Sequence, residues 1–193
     1  MKQFLMTIGL PYSGKSQLAK EYRAQGWKVI ERDSLLKEIV ESPEFQTEVQ
    51  KRLKGEVNQE VLFSVQNEVA IGLLSERVRQ LVLSSPEDRI IYDGTNLQKA
   101  SRAGILELSR QGVRVDAVVF HVPLTEIFRR AETVFRSGER KGSFNEGARH
   151  NLERMIHLTE DPDPSEGFNH IEVREWKTEL EDRERKELHH LSR

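Results

Sequence analysis

The sequence predicts an α/β fold built on a five-stranded parallel sheet with helices on both faces. Apolar segments suited to strands recur at residues 4–8, 27–30, 89–92, 115–122 and 170–173, with segments of helix-forming composition between them. At 193 residues the chain is long enough for one domain with a full core. Strands that alternate with helices pair in parallel, because each crossover lays a helix across the sheet. Ligands of such sheets bind beyond the carboxyl ends of the strands, so the residues after each strand are the ones to read.

The first strand runs into Gly9-Leu10-Pro11-Tyr12-Ser13-Gly14-Lys15-Ser16, and a helical stretch follows from Gln17. In that context backbone N–H groups of the loop and the positive end of the helix converge on phosphates. Gly9, Pro11, Ser13, Gly14, Lys15, Ser16 and Gln17 are therefore candidates to bind a nucleoside triphosphate. Lys15 would reach its β- and γ-phosphates, and the Ser16 hydroxyl would ligate Mg²⁺.

After the second strand comes "ERDSLLKEIV", with Asp33 directly before a helical stretch. Asp33 there is either an N-cap or the general base that takes a proton from an attacking hydroxyl. Residues 42–85 form a long helical insertion in which Val57, Val61, Val65, Val69 and Leu73 recur at four-residue spacing. Such a face packs on the domain or on a second subunit, a homo-oligomer.

The third strand ends in "IIYDGTNL". Asp93 fits the acidic residue that orients Mg²⁺ through a water or Ser16, and Thr95 and Asn96 add short polar side chains at the sheet edge. "DGTN" is also good turn chemistry. Between the last two strands, residues 129–154 carry seven Lys/Arg against four Glu, with Gly138 and Gly142 breaking the helical pattern. A hinged basic segment suits a lid whose arginine, Arg136 first and then Arg140, stabilises a transferring phosphoryl group. The plain alternative is a solvated pair of charged helices. Residues 174–193 are dense in both signs at helical spacing, a solvated helix anchored by Trp176 and Leu180, with His189-His190 at a frayed end.

In their order, "GLPYSGKS", "RDSLLKEI", "YDGTNLQKASR", "HVPLTEIFRR" and "EDPDPSEGFNHIEV" make the chain resemble the polynucleotide kinase branch of P-loop kinases, as far as about Val173. The resemblance implies a P-loop kinase fold with an arginine-bearing lid and the use of ATP with Mg²⁺. The acceptor it implies is the 5'-hydroxyl end of RNA or DNA, or else a small hydroxylated metabolite, nucleoside or antibiotic. Substrate contacts would come from Lys37, Thr95, Asn96 and Arg102. Leu36 stands where nucleic-acid-directed members carry an arginine, with Lys37 beside it.

Composition narrows the alternatives. With no cysteine, disulfides, thiolate metal sites and thiol catalysis are out. The longest apolar runs are too short to span a bilayer and the N-terminus lacks a secretory layout, which places the chain in the cytoplasm as an expectation. A net charge of −2 gives no global nucleic-acid signal. The reading of a different class is an ATPase switch that transfers phosphate only to water; the guanine-recognition segment Asn-Lys-x-Asp is absent.

Overall fold

A computed structural model describes residues 1–53 and 58–176. Five strands, β1 (Gln3–Ile8), β2 (Lys28–Glu31), β3 (Arg89–Asp93), β4 (Arg114–His121) and β5 (His170–Glu175), form one all-parallel sheet in the order β2-β3-β1-β4-β5. Among the described residues seven α-helices connect them: α1 (Lys15–Ala24), α2 (Arg32–Val40), α3 (Pro43–Arg52), α4 (Gln59–Ser84), α5 (Lys99–Arg110), α6 (Leu124–Arg136) and α7 (Glu146–His157). The chain leaves β1 toward one edge of the sheet and later returns on its other side at β4, so the order reverses beside β1. A crevice opens at such a point, at the carboxyl ends of the strands.

Strand alternation sets the two faces. Phe4, Met6 and Ile8 join a core with Ile39, Val78, Val82 and Ile105 from α2, α4 and α5, whereas Leu5 and Ile91 pack with Leu18 and Ala19 of α1. A third, smaller cluster joins Leu10 and Leu97 to Ile127 of α6 and Leu152 of α7. It seats the α6–α7 pair over the loop that follows β1.

The insertion begins at local signals. Ser42 caps α3 by accepting from the Phe45 N–H at 3.2 Å with Pro43 in the first turn, and Asn58 caps α4 by accepting from Val61 N–H at 2.9 Å. Core packing claims the C-terminal part of α4, where Val69, Leu74, Val78 and Val82 are buried, while Val61 and Phe63 are exposed. A helix of 26 residues is about 39 Å long and outruns the short strands it covers. Val57 lies outside the described residues.

The last strand departs from expectation. Arg174 and Glu175 are its final residues, paired with Phe120 and His121 of β4, not the start of a helix. His121 fixes this end, its Nδ1 at 3.0 Å from Glu175 and its Nε2 at 3.1 Å from Asp161. Residues 177–193, with Leu180 and His189-His190, lie outside the described residues. No described helix is long and apolar enough to cross a membrane.

Candidate active site

The loop after β1 is braced from below. Buried Thr7 donates its hydroxyl toward the carbonyls of Tyr92 and Gly94, at 3.2 and 3.1 Å, and accepts from Gly94 N–H, pinning the end of β1 to the end of β3. Gly9 N–H donates to the Thr95 carbonyl at 2.9 Å. At Gly9 a Cβ would stand 3.0 Å from the Phe120 Cβ and 3.1 Å from the Phe120 carbonyl, and the residue has φ +150°, so only glycine lets the loop press against β4. The loop then turns through Tyr12 at φ 64° and Gly14 at φ 107°, and Gly14 opens α1 with no side chain to cap it. Gln17 N–H donates to the Gly14 carbonyl at 3.1 Å, and the Lys15 and Ser16 N–H groups of the first turn are left for an anion.

Lys15 lies across this loop, buried, its ammonium donating to the Leu10 carbonyl at 2.5 Å and the Ser13 hydroxyl at 3.2 Å. Burial pushes its pKa down to about 8, against the pull of the Asp93 and Asp33 carboxylates. Two clefts meet at it. The inner one, ≈ 380 Å³, lies between α1, the end of β2 and the start of α2 and is lined by Pro11, Lys15, Ser16, Asp33, Asp93 and Thr95 among others. The outer one, ≈ 660 Å³, lies between the loop and α6 and includes Gly14, Gln17, Arg130 and Arg140. Tyr12, Lys15, Ser16 and Lys20 line both.

Asp33 is not an N-cap. Glu31 occupies that place, and Asp33 sits inside the first turn of α2 with its side chain 88% exposed in the inner cleft. Of the two arginines expected in a lid, Arg140 reaches the outer cleft: it lines it beside Gly14 and Lys15, donates to the Tyr12 hydroxyl and lies 5.5 Å from the Tyr12 ring centroid. Arg136 does not; it is 82% exposed, paired with Glu132 at 3.6 Å, and borders a separate hollow with Phe144. Arg130 takes the position nearest the loop. Its guanidinium donates to the Tyr12 carbonyl at 3.1 Å and to Glu126 at 2.7 Å, and it stacks 4.4 Å from the Trp176 ring centroid. Arg130 was not singled out from the sequence; its four-residue spacing from Glu126 is the signal that points to it.

Three expected substrate contacts stand elsewhere. Arg102 is wholly buried, its donors spent on Glu166 (2.8 and 2.9 Å) and on the carbonyls of Asn96, Leu97 and Glu160. It ties α5 to the 3₁₀ turn Pro164–Glu166. Asn96, buried at φ 46°, donates to the Thr7 carbonyl at 2.8 Å and so braces the loop without lining either cleft. Lys37 is exposed one turn beyond Asp33 and lines neither cleft. Thr95 alone of the four meets the inner cleft.

Among the described residues no cluster of three or more His, Cys, Asp or Glu could hold a metal by itself. Ser16 and Asp93 in one cleft do fit Mg²⁺, which binds through one or two protein oxygens and completes its shell with phosphates and water.

A parallel sheet with a glycine-bearing loop feeding a helix N-terminus, a buried lysine at the loop and arginines above it define a kinase-like P-loop fold. The chain belongs to the AAA domain family AAA_33, whose model matches residues 4–162. No curated protein matches the sequence. Among solved structures it is similar to a sugar kinase from Janibacter sp. HTCC2649, at 18% identity, TM-score 0.57, covering 100% of this chain and 95% of that one. It is also similar to a gluconokinase from Sinorhizobium meliloti 1021, at 17% identity, TM-score 0.52, covering 99% and 98%. At these identities the likeness is one of fold.

Proposed function

We propose that the protein is an ATP-dependent kinase that transfers the γ-phosphoryl group to a hydroxyl. The observation that carries this reading is that two clefts meet at Lys15 and Ser16, one large enough for a nucleotide and the other holding a solvent-facing carboxylate, Asp33. The outer cleft takes ATP, with Lys15, the first-turn amides of α1 and Gly14 on its phosphates and Arg130 and Arg140 above them. Ser16 and Asp93 would hold Mg²⁺, which would supply charge neutralisation on the phosphates. In the transfer the acceptor oxygen forms a bond to the γ-phosphorus, the bond from that phosphorus to the ADP oxygen breaks, and the hydroxyl proton passes to Asp33.

The acceptor is a small hydroxylated molecule. The inner cleft has the volume of a small-ligand site, and Lys37, the cation next to the missing arginine at Leu36, stands outside it. The sugar substrates named for the two similar structures are of this class. The 5'-hydroxyl end of RNA or DNA is the second reading, favoured by Lys20 and Arg23 on the cleft wall, which could follow a phosphodiester. Transfer of label from γ-labelled ATP to a metabolite panel and to a 5'-hydroxyl oligonucleotide decides between them. ATP hydrolysis without any labelled acceptor would replace both with the ATPase switch.

A further inference from the structure

Arg32 is the least satisfied of the half-buried and buried arginines around the site. It opens α2 and its side chain is only 22% exposed, close to the 25% of Arg130. Its stem lies on Gly94: a Cβ built at Gly94 would come within 2.7 Å of the Arg32 Cδ and 2.9 Å of its Cβ. The glycine after β3 thus provides the space in which the arginine lies. A guanidinium has five N–H donors. Arg102 and Arg130 spend theirs on carboxylates and carbonyls, whereas Arg32 has among the described residues only its ion pair with Asp33 Oδ1, at a long 3.4 Å. None of its nitrogens is both buried and unpartnered, so the donors it does not share with Asp33 are open to solvent in the cleft that Arg32 lines, where a ligand can take the place of water.

The surroundings suit an anion at that place. Glu31 is paired with Arg23 at 2.8 Å, and Asp33 and Asp93 line the cleft, where the kinase reading gives them the proton and the metal. Lys20, exposed on α1 without a hydrogen bond or ion pair among the described residues, adds a second cation to the same wall.

We propose that Arg32 is the specificity residue of the inner cleft and binds, through its paired N–H groups, a carboxylate or phosphate carried by the small acceptor, with Gly94 as the floor that lets it do so. Planar two-point recognition of a carboxylate or phosphate is what a guanidinium offers and an ammonium does not. The anion held beside Asp33 orients the acceptor so that its hydroxyl meets the carboxylate. The proposal rests on the kinase reading above.

Its first test needs no knowledge of the natural acceptor. Protein saturated with Mg²⁺ and the non-hydrolysable analogue AMP-PNP, which fills the phosphate loop, is titrated calorimetrically with inorganic phosphate. The wild type should bind it at one site, Arg32→Gln should weaken it about tenfold or more, and Arg32→Lys should restore only part. Gly94→Ala should weaken it too, by displacing the arginine. In the second test, pairs of acceptors that differ in the anion are compared: glycerate with glycerol, gluconate with glucose, ribose 5-phosphate with ribose. Arg32→Gln should raise KM for the anionic member about ten- to a hundredfold while KM for ATP stays put. Absence of phosphate binding in the wild type, its survival in Arg32→Gln, or equal use of a neutral partner overturns the proposal. Preference for a 5'-hydroxyl oligonucleotide over every small anion also overturns it. Failure to bind AMP-PNP refutes the kinase reading instead, a separate result.

Discussion

Lys15 holds its charge where a charge is costly, and phosphates bound at the loop, as proposed, would relieve that cost. Its folded-state pKa of about 8 lies below the ordinary 10.5, so the free folded protein releases this proton before the unfolded chain does. Between those values the unfolded state binds more protons, and the contribution of Lys15 to stability rises with pH. Affinity for ATP should move the opposite way, weakening from about pH 7 to about pH 9 as the ammonium is lost, and this dependence should vanish in Lys15→Met; ATP titrations across pH measure it. Lys15→Ala should remove on the order of 3 to 4 kcal/mol of transition-state stabilisation with the fold intact. Asp33 separates binding from chemistry in the same way. Since Glu31 holds the N-cap place, Asp33→Asn should leave the melting temperature nearly unchanged while turnover falls about a hundredfold or more, as read by kcat and calorimetry. Near-normal turnover would move the general base elsewhere.

The helical pair α6–α7 is held at its base by Glu132, which pairs with Arg149 of α7 and with Arg136, while Arg149 stacks 5.2 Å from both Phe128 and Phe144. Between the helices Gly138 and Gly142 take φ of 77° and 99°, which lets the chain reverse and carries Arg140 back to Tyr12. Arg140→Ala should therefore reduce kcat by roughly a hundredfold or more, and Arg136→Ala by little, since only the first reaches the outer cleft. Equal losses would return Arg136 to the site. On the other side of the sheet, Arg102 and Glu166 join α5 to the turn before β5. Burial raises the Glu166 pKa, but its bonds to Arg102 outweigh that and leave it below the usual carboxylate value. This contribution to stability is present above the unfolded carboxylate range and is lost as pH falls through the lowered value. Removing one partner of a buried pair costs about 3–5 kcal/mol, so Arg102→Ala should show that loss in denaturant unfolding, with KM of the remaining folded protein unchanged.

At the scale of the whole molecule, the site is assembled from the end of β1, the end of β3, the start of α2 and the α6–α7 pair, elements far apart in sequence. A ligand that bridges them stabilises the fold as a unit: Mg²⁺ with AMP-PNP at a hundred times its Kd should add about 2.7 kcal/mol, seen as a concentration-dependent rise in melting temperature, and Lys15→Ala should abolish the rise. The strands were legible in the sequence to within about two residues, because apolar runs bounded by turn residues persist wherever a sheet is buried on both faces. The phosphate loop was legible because its glycines answer to backbone geometry, and Gly9 against Phe120 shows that constraint at 3.0 Å. The roles of the polar residues were not. Arg102 meets a carboxylate 64 positions away, Arg32 owes its burial to a glycine across the strand ends, and Arg136 and Arg140 differ only in which way the chain turns at Gly138. By itself the sequence determined the sheet, the crossovers and the phosphate-binding loop, all set by periodicity and local backbone chemistry. The tertiary structure alone decided which cations brace the fold and which are left to meet a ligand, because a side chain's partners depend on distances that spacing along the chain does not encode.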